Sequence, residues 1–191
     1  PQNKNPNNQS TKIRYGVAKW GSYPKEEEKN TIAHDMKRAG YATAVAGKWQ
    51  LALLKRDPQH PHRMGFDQYS LFGWHEGARY HDPLIWENGK IRDDTEGKYG
   101  PDLYVDFLID FIKEHREKPW FAFYSMALCH DVTDDLKAPV GYAPGKDRYL
   151  NYAEMMASMD ECVGRLVKSV DDMGLGDNTV VIFTTDNGTA G

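Results

Sequence analysis

Four side chains have types and settings suited to chemistry: Lys48, His130, Asp186 and Asn187. Asp186 and Asn187 stand in Thr185-Asp186-Asn187-Gly188, directly after the apolar run 179–184. A carboxylate and an amide oxygen are hard ligands, suited to Ca²⁺ or Mg²⁺ rather than zinc. The same tetrapeptide is good turn chemistry; the buried strand expected before it favours the ligand reading. Lys48 lies between Gly47 and Trp49, where a strand-end lysine can hold an anionic oxygen as a point charge. Most lysines, however, serve only at the surface. His130 ends a hydrophobic stretch and titrates near neutrality, which qualifies it as a general acid. A lone histidine is as readily structural, and His34, His60, His62, His75, His81 and His115 dilute the signal. His34 and His115 fall on expected helices with solvent-facing sides. His60-Pro61-His62, and His75 with His81, are within reach of a pocket, but their spacing fits no standard metal motif.

The elements that must position these residues repeat one pattern three times: an amphipathic helix, a short turn, a compact apolar run. Asn30 is a plausible N-cap for a first helix, with Ile32, Ala33, Met36 and Ala39 on one face and Gly40 as its stop. Tyr41-Ala42-Thr43-Ala44-Val45-Ala46 then reads as a buried strand ending at Gly47-Lys48-Trp49. A second helix opens at Pro101 and carries the stripe Leu103, Phe107, Leu108, Phe111 and Ile112. After Pro119, Trp120-Phe121-Ala122-Phe123-Tyr124 is a second strand leading towards His130. In a third helix Met155, Met159, Cys162, Val163, Leu166, Val170 and Met173 recur at helical spacing, and Gly174 ends it. The β-branched run 179–184 is expected as a third strand, covered on both faces. Between the first two units, residues 65–69 suggest a short strand, and Asn88-Gly89 between Trp86-Glu87 and Lys90-Ile91 signals a type I′ hairpin.

Helix then strand, three times over, predicts an α/β fold with a mostly parallel sheet flanked by helices. Ligands of such sheets bind beyond the carboxyl ends of the strands. Lys48, His130 and Asp186 each follow a strand and are expected at one edge of one sheet, facing a common cleft.

Composition bounds the rest. The net charge of −4 over 191 residues gives no footprint for nucleic acid or an anionic membrane surface. No apolar run approaches the roughly 20 residues of a membrane span. Cys129 and Cys162 form neither a Cys-x-x-Cys pair nor a disulfide framework and read as small hydrophobes. Residues 1–12 are polar and aperiodic and read as a mobile lead-in, which leaves 13–191 as one α/β domain. Trp74, Tyr80 and Trp86 have the shape to stack on a sugar or aryl group, although core packing is the plainer role.

Four stretches resemble the type I sulfatases, taken in the family's order. Ala39-Gly40-Tyr41-Ala42-Thr43 through Gly47-Lys48-Trp49 resembles their AGY-T…GKW signature, and Gly65-Phe66-Asp67 their Gly-Phe-Asp. Residues 152–166 are similar to their Y-x-x-M-x-x-x-D-x-x-V-G-R-L helix, and 178–188 to their NT-x-V-I-F-T-S-D-N-G strand. The resemblance implies an incomplete alkaline-phosphatase-like fold, an internal fragment of a sulfuric ester hydrolase acting on a sulfated small molecule or carbohydrate. It implies calcium held in part by Asp186 and Asn187, Lys48 on the sulfate, and His130 on the sulfate or the leaving oxygen. A periplasmic or secreted setting is implied likewise. The nucleophile of the family is a formylglycine made within C/S-x-P-x-R, which these 191 residues do not contain, and the paired N-terminal aspartates are absent too. Where the family has GKWHLG, this chain reads Gly47-Lys48-Trp49-Gln50-Leu51-Ala52, and an amide cannot take up a proton at neutral pH. Two alternatives therefore stay open: a non-catalytic binder of sulfated ligands, and a phosphate or phosphonate ester hydrolase on the same scaffold. As it stands, the chain is expected to be inactive alone and to bind calcium weakly.

Overall fold

The computed structural model describes residues 27–73, 76–129 and 152–186. Its centre is a five-stranded sheet in the order β4-β3-β2-β1-β5, with β1 at Ala42–Trp49, β2 at Gln68–Gly73, β3 at Trp86–Glu87, β4 at Lys90–Ile91 and β5 at Trp120–Ser125. β1 runs parallel to both β2 and β5, whereas β3 and β4 add an antiparallel margin. The segment from 65 that suggested a short strand is thus a full parallel neighbour of β1. The expected hairpin is present, and Asn88 and Gly89 both take the positive φ (46° and 93°) that a type I′ turn requires.

Alternation along β1 divides the core. Ala44 and Ala46 face a layer made by α3 (Gly100–Glu114) and α4 (Tyr152–Asp172), where Phe72, Tyr104, Leu108, Phe111, Met155 and Cys162 are buried. Val45 and Trp49 face the opposite side, with Ala33 of α1 (Ile32–Arg38), Leu54, Met64, Phe66, Tyr69 and Leu71. Met64 and Phe66 follow the short helix α2 (His60–Arg63). Among the described residues that second side has little helical cover, and Phe123 of β5 is 47% exposed.

The matched motifs are largely scaffold. Gly40, at φ +88°, ends α1, with Tyr41 N–H donating to Met36 O at 3.0 Å. Asp67 accepts from the Thr43 N–H at 3.0 Å and pairs with Lys37 at 2.5 Å, which ties the start of β2 to β1 and α1. Arg165 of α4 donates to Asp102 and Asp106 of α3 at 2.6 and 2.5 Å, clamping the two helices together.

Three expectations need correction. Thr31, not Asn30, caps α1, because its hydroxyl accepts the His34 N–H. His34 and His115 do not face solvent: both are half-buried, His34 Nε2 lying 2.9 Å from Arg63 O and His115 Nδ1 2.9 Å from Phe111 O. The third expected strand is not part of the sheet. Residues 179–184 are irregular, and Val180 and Ile182 are 86% and 82% exposed. Their apolar character demands cover, but no described strand lies alongside to supply hydrogen bonds or a packing face.

Candidate anion site at the carboxyl end of the central strand

Two features of the sequence aim Lys48. Gly47 takes φ +100°, a conformation open to glycine at little cost, and a Cβ there would fall 2.1 Å from Ser125 O on β5. The strand therefore twists while staying close to its neighbour, one residue before the lysine. Trp49 then anchors the far side: it is buried, 5.6 Å from the His60 ring and 6.3 Å from Phe66 by centroids. Lys48 is left half-buried between these fixed points, opposite Phe72 of β2.

Its electrostatic setting is unusual for a lysine. Burial lowers its proton affinity, and the nearby Arg79 guanidinium lowers it further; the Asp186 carboxylate acts in the other direction. Arg79 is 3% exposed and sits over the ring of Phe72, the register partner of Lys48, at 5.7 Å. Gly100 at the start of α3 lets this backbone approach: a Cβ there would lie 2.2 Å from Arg79 O. The Tyr104 hydroxyl is wholly buried in the same region, and burial drives its proton affinity up. Two cationic side chains, Lys48 and Arg79, thus come near one another at the carboxyl end of β1.

Of the four expected site residues, Lys48 and Asp186 come near enough to interact, although Asp186 is exposed and lies beyond an unpaired segment rather than a strand. His130 and Asn187 fall outside the described residues, as do His75 and Trp74. Among the other histidines, His60 is buried under Trp49, and His81 packs on Tyr99 at 5.2 Å. Tyr80 is core: its hydroxyl donates to Ala127 O at 3.0 Å. Trp86 is half-buried against the α1-side core. Cys162 is buried and its thiol is pushed up to about 11, while burial also raises Cys129; both behave as hydrophobes. Sequence reasoning missed Arg79 because it stands alone in an aperiodic insert. The one available signal was a charged residue beside a tyrosine destined for the core.

The sulfatase family model matches residues 2–191. This chain belongs to the sulfatase family. It is 28% identical to the N-acetylgalactosamine-6-sulfatase of Homo sapiens over 190 residues, covering 89% of this chain and 34% of that protein. A 105-residue stretch, 54% of the chain, is 34% identical to the N-acetylglucosamine-6-O-sulfatase of Bacteroides thetaiotaomicron and covers 17% of it. The ulvan-active sulfatase of Formosa agariphila is 26% identical over 84% of the chain and 35% of the relative. The chain thus spans about a third of the length of the curated sulfatases that it matches over most of its own length. The fold agrees: the crystal structure of Ps i-CgsB superposes with a TM-score of 0.60 at 22% identity, over 81% of this chain and 39% of that one. A second structure of that protein, in complex with a neocarrahexaose, gives 0.59.

The sulfatase resemblance implies calcium, for which one expected ligand, Asn187, lies outside the described residues. Asp186 offers a hard carboxylate near a cationic strand end. Among the described residues no three His, Cys, Asp or Glu side chains come together.

Proposed function

We propose that the protein to which this chain belongs hydrolyses sulfate esters of carbohydrates, and that Lys48 binds the sulfuryl oxygens. The observation that carries the reading is the setting of Lys48: half-buried at the carboxyl end of the central parallel strand, beside the buried Arg79. Lys48 and Arg79 bring two cationic groups to this strand end, and charge shifting onto the oxygens of an entering sulfate during S–O cleavage would be stabilised there. His130 is assigned the leaving oxygen, to which it would deliver a proton. Asp186 and Asn187 would supply two oxygen ligands to calcium, which when bound would neutralise charge on the sulfate. A formylglycine nucleophile, in this reading, comes from residues other than these 191. Carbohydrate is favoured as substrate by the names of the relatives.

The test is turnover of an aryl sulfate and of sulfated oligosaccharides by the full-length gene product. Lys48→Met should lower turnover by about 10²–10³-fold and leave the thermal midpoint nearly unchanged. A variant within threefold of wild type would remove Lys48 from the mechanism. Gln50 is exposed just past β1 and supports a second reading, a binder; tight binding of a sulfated oligosaccharide without turnover would select it. Faster cleavage of phosphate or phosphonate esters would move the chemistry to phosphoryl transfer.

A further inference from the structure

Beyond β1 the chain exposes Gln50 and Leu51, then turns inward: Ala52, Leu53 and Leu54 are all buried. Where this loop returns to the surface, its backbone is gripped by one side chain. The Leu54 N–H donates to Glu76 Oε2 at 3.1 Å and the Lys55 N–H to Glu76 Oε1 at 2.7 Å. Two adjacent amides thus meet the two oxygens of one carboxylate, a charge-assisted arrangement stronger than neutral pairs. The carboxylate lies over the end of β2. Gly73 is the last residue of that strand and the register partner of Trp49, and a Cβ on it would fall 1.6 Å from Glu76 Oε2. Gly73 is therefore needed for volume and not for backbone freedom: its missing side chain is the seat of the carboxylate. Burial raises the proton affinity of Glu76 while the two amides lower it, so the carboxylate is held at a desolvation cost.

We propose that Glu76, seated in the space left by Gly73, is a positioning residue for substrate: it fastens the 50–55 loop so that Gln50 and Leu51 form a fixed rim beside Lys48. The rim lies in a six-residue span from the buried Trp49 to the gripped Leu54, anchored at both ends. Removing one anchor frees the rim without touching β1, whose register is set by β2 and β5. The proposal rests on the sulfate-ester reading above.

The test is a double-mutant cycle in the full-length gene product, Glu76→Ala, Gly73→Ala and the pair, with Glu76→Gln beside them. Kinetics on a sulfate ester and amide exchange at Leu54 and Lys55 are the readouts. Glu76→Ala should raise KM by roughly tenfold with kcat within about threefold, because rim contacts serve binding rather than the bond-breaking step. A merely structural role would lower the active fraction and leave KM unmoved. Gly73→Ala should reproduce the effect, since the new methyl evicts the carboxylate. In the Glu76→Ala background it should add less than twofold, because the seat is then vacant. Glu76→Gln keeps one acceptor and should fall between. Additive effects, an unmoved KM, or undiminished protection of the Leu54 and Lys55 amides in Glu76→Ala would overturn the proposal. A wild-type protein without turnover rejects the sulfate-ester reading instead. The cycle, read in amide exchange and in affinity for a sulfated oligosaccharide, still accepts or rejects the latch.

Discussion

The end of β1 and the segment 179–186 begin with the same advertisement: a compact apolar run followed by polar residues of catalytic type. Their fates differ. Val45 is wholly buried between β2 and β5, and Lys48 is paired with Phe72 of β2 one residue past the end of the β5 ladder, whereas Val180 and Ile182 lie in the open and Asp186 follows them on unpaired backbone. An apolar run states a need for partners; it becomes a strand only where neighbours supply ladder hydrogen bonds and a packed face. A site residue inherits its precision from that supply. Lys48 is held to its place, and Asp186 is located only by its influence on Lys48.

The largest expected effect breaks the ordered side of this contrast. Gly47→Ala would place a methyl against Ser125 O and strain a positive φ, so it should cost about 3 kcal/mol or more of stability, read by denaturant titration. A loss under about 1 kcal/mol would mean that the β1–β5 approach is looser than described. Next in size is the metal. Calcium takes roughly 6–8 oxygen ligands, and the 191 residues alone should bind it only in the millimolar range and hydrolyse no aryl sulfate. A micromolar site by calorimetry, or turnover above background, would show that residues treated as scaffold complete a site. A subtler comparison pairs Val45→Ser with Val180→Ser/Ile182→Ser. The buried change should cost about 2–4 kcal/mol and the exposed pair within about 0.5 kcal/mol. A comparable cost at 180 and 182 in the full-length protein would show that the run has found partners there.

The smallest effect concerns acid. Glu28 and Asp57 both titrate below their ordinary values, chiefly because Arg63 donates hydrogen bonds to them, at 2.9 Å for Glu28 and 2.6 Å for Asp57. The folded state therefore binds these protons less readily than the unfolded chain. Their contribution is whole above the ordinary values of 4.5 and 3.8 and is lost as pH falls through the depressed folded values. His60, lowered from 6.5 by burial, adds an earlier erosion as pH drops below that value. Thermal midpoints against pH should show both limbs, and Arg63→Met should flatten the lower one. An unchanged lower limb would assign it to other carboxylates.

Much of the scaffold was legible because it follows simple periods. The stripes of α3 and α4, the β1 and β5 runs and the Asn88-Gly89 turn all state their structure locally. The parallel sheet follows from their alternation. β2 was legible only as a hint, since its start is marked by Asp67 reaching back to Thr43, a link 24 residues long in sequence that no local pattern announces. The site was legible at Lys48, where a glycine precedes a lysine at a strand end. Arg79 and Glu76 were not: each works through distance contacts with β1 or the loop after it, and neither stands in a periodic or repeated setting. The run 179–184 misled for the opposite reason, its local pattern being complete while its neighbours are not among the described residues.

Gly73 and Glu76 also constrain the order in which this sequence can drift. While the glutamate is seated, a side chain at position 73 can enter only by displacing it, because its first carbon would land inside the carboxylate. Once the glutamate is lost, that conflict lifts and position 73 is free to vary, after which a returning glutamate would find its seat filled. The pair behaves as a ratchet: one substitution opens the path to the next and closes the way back.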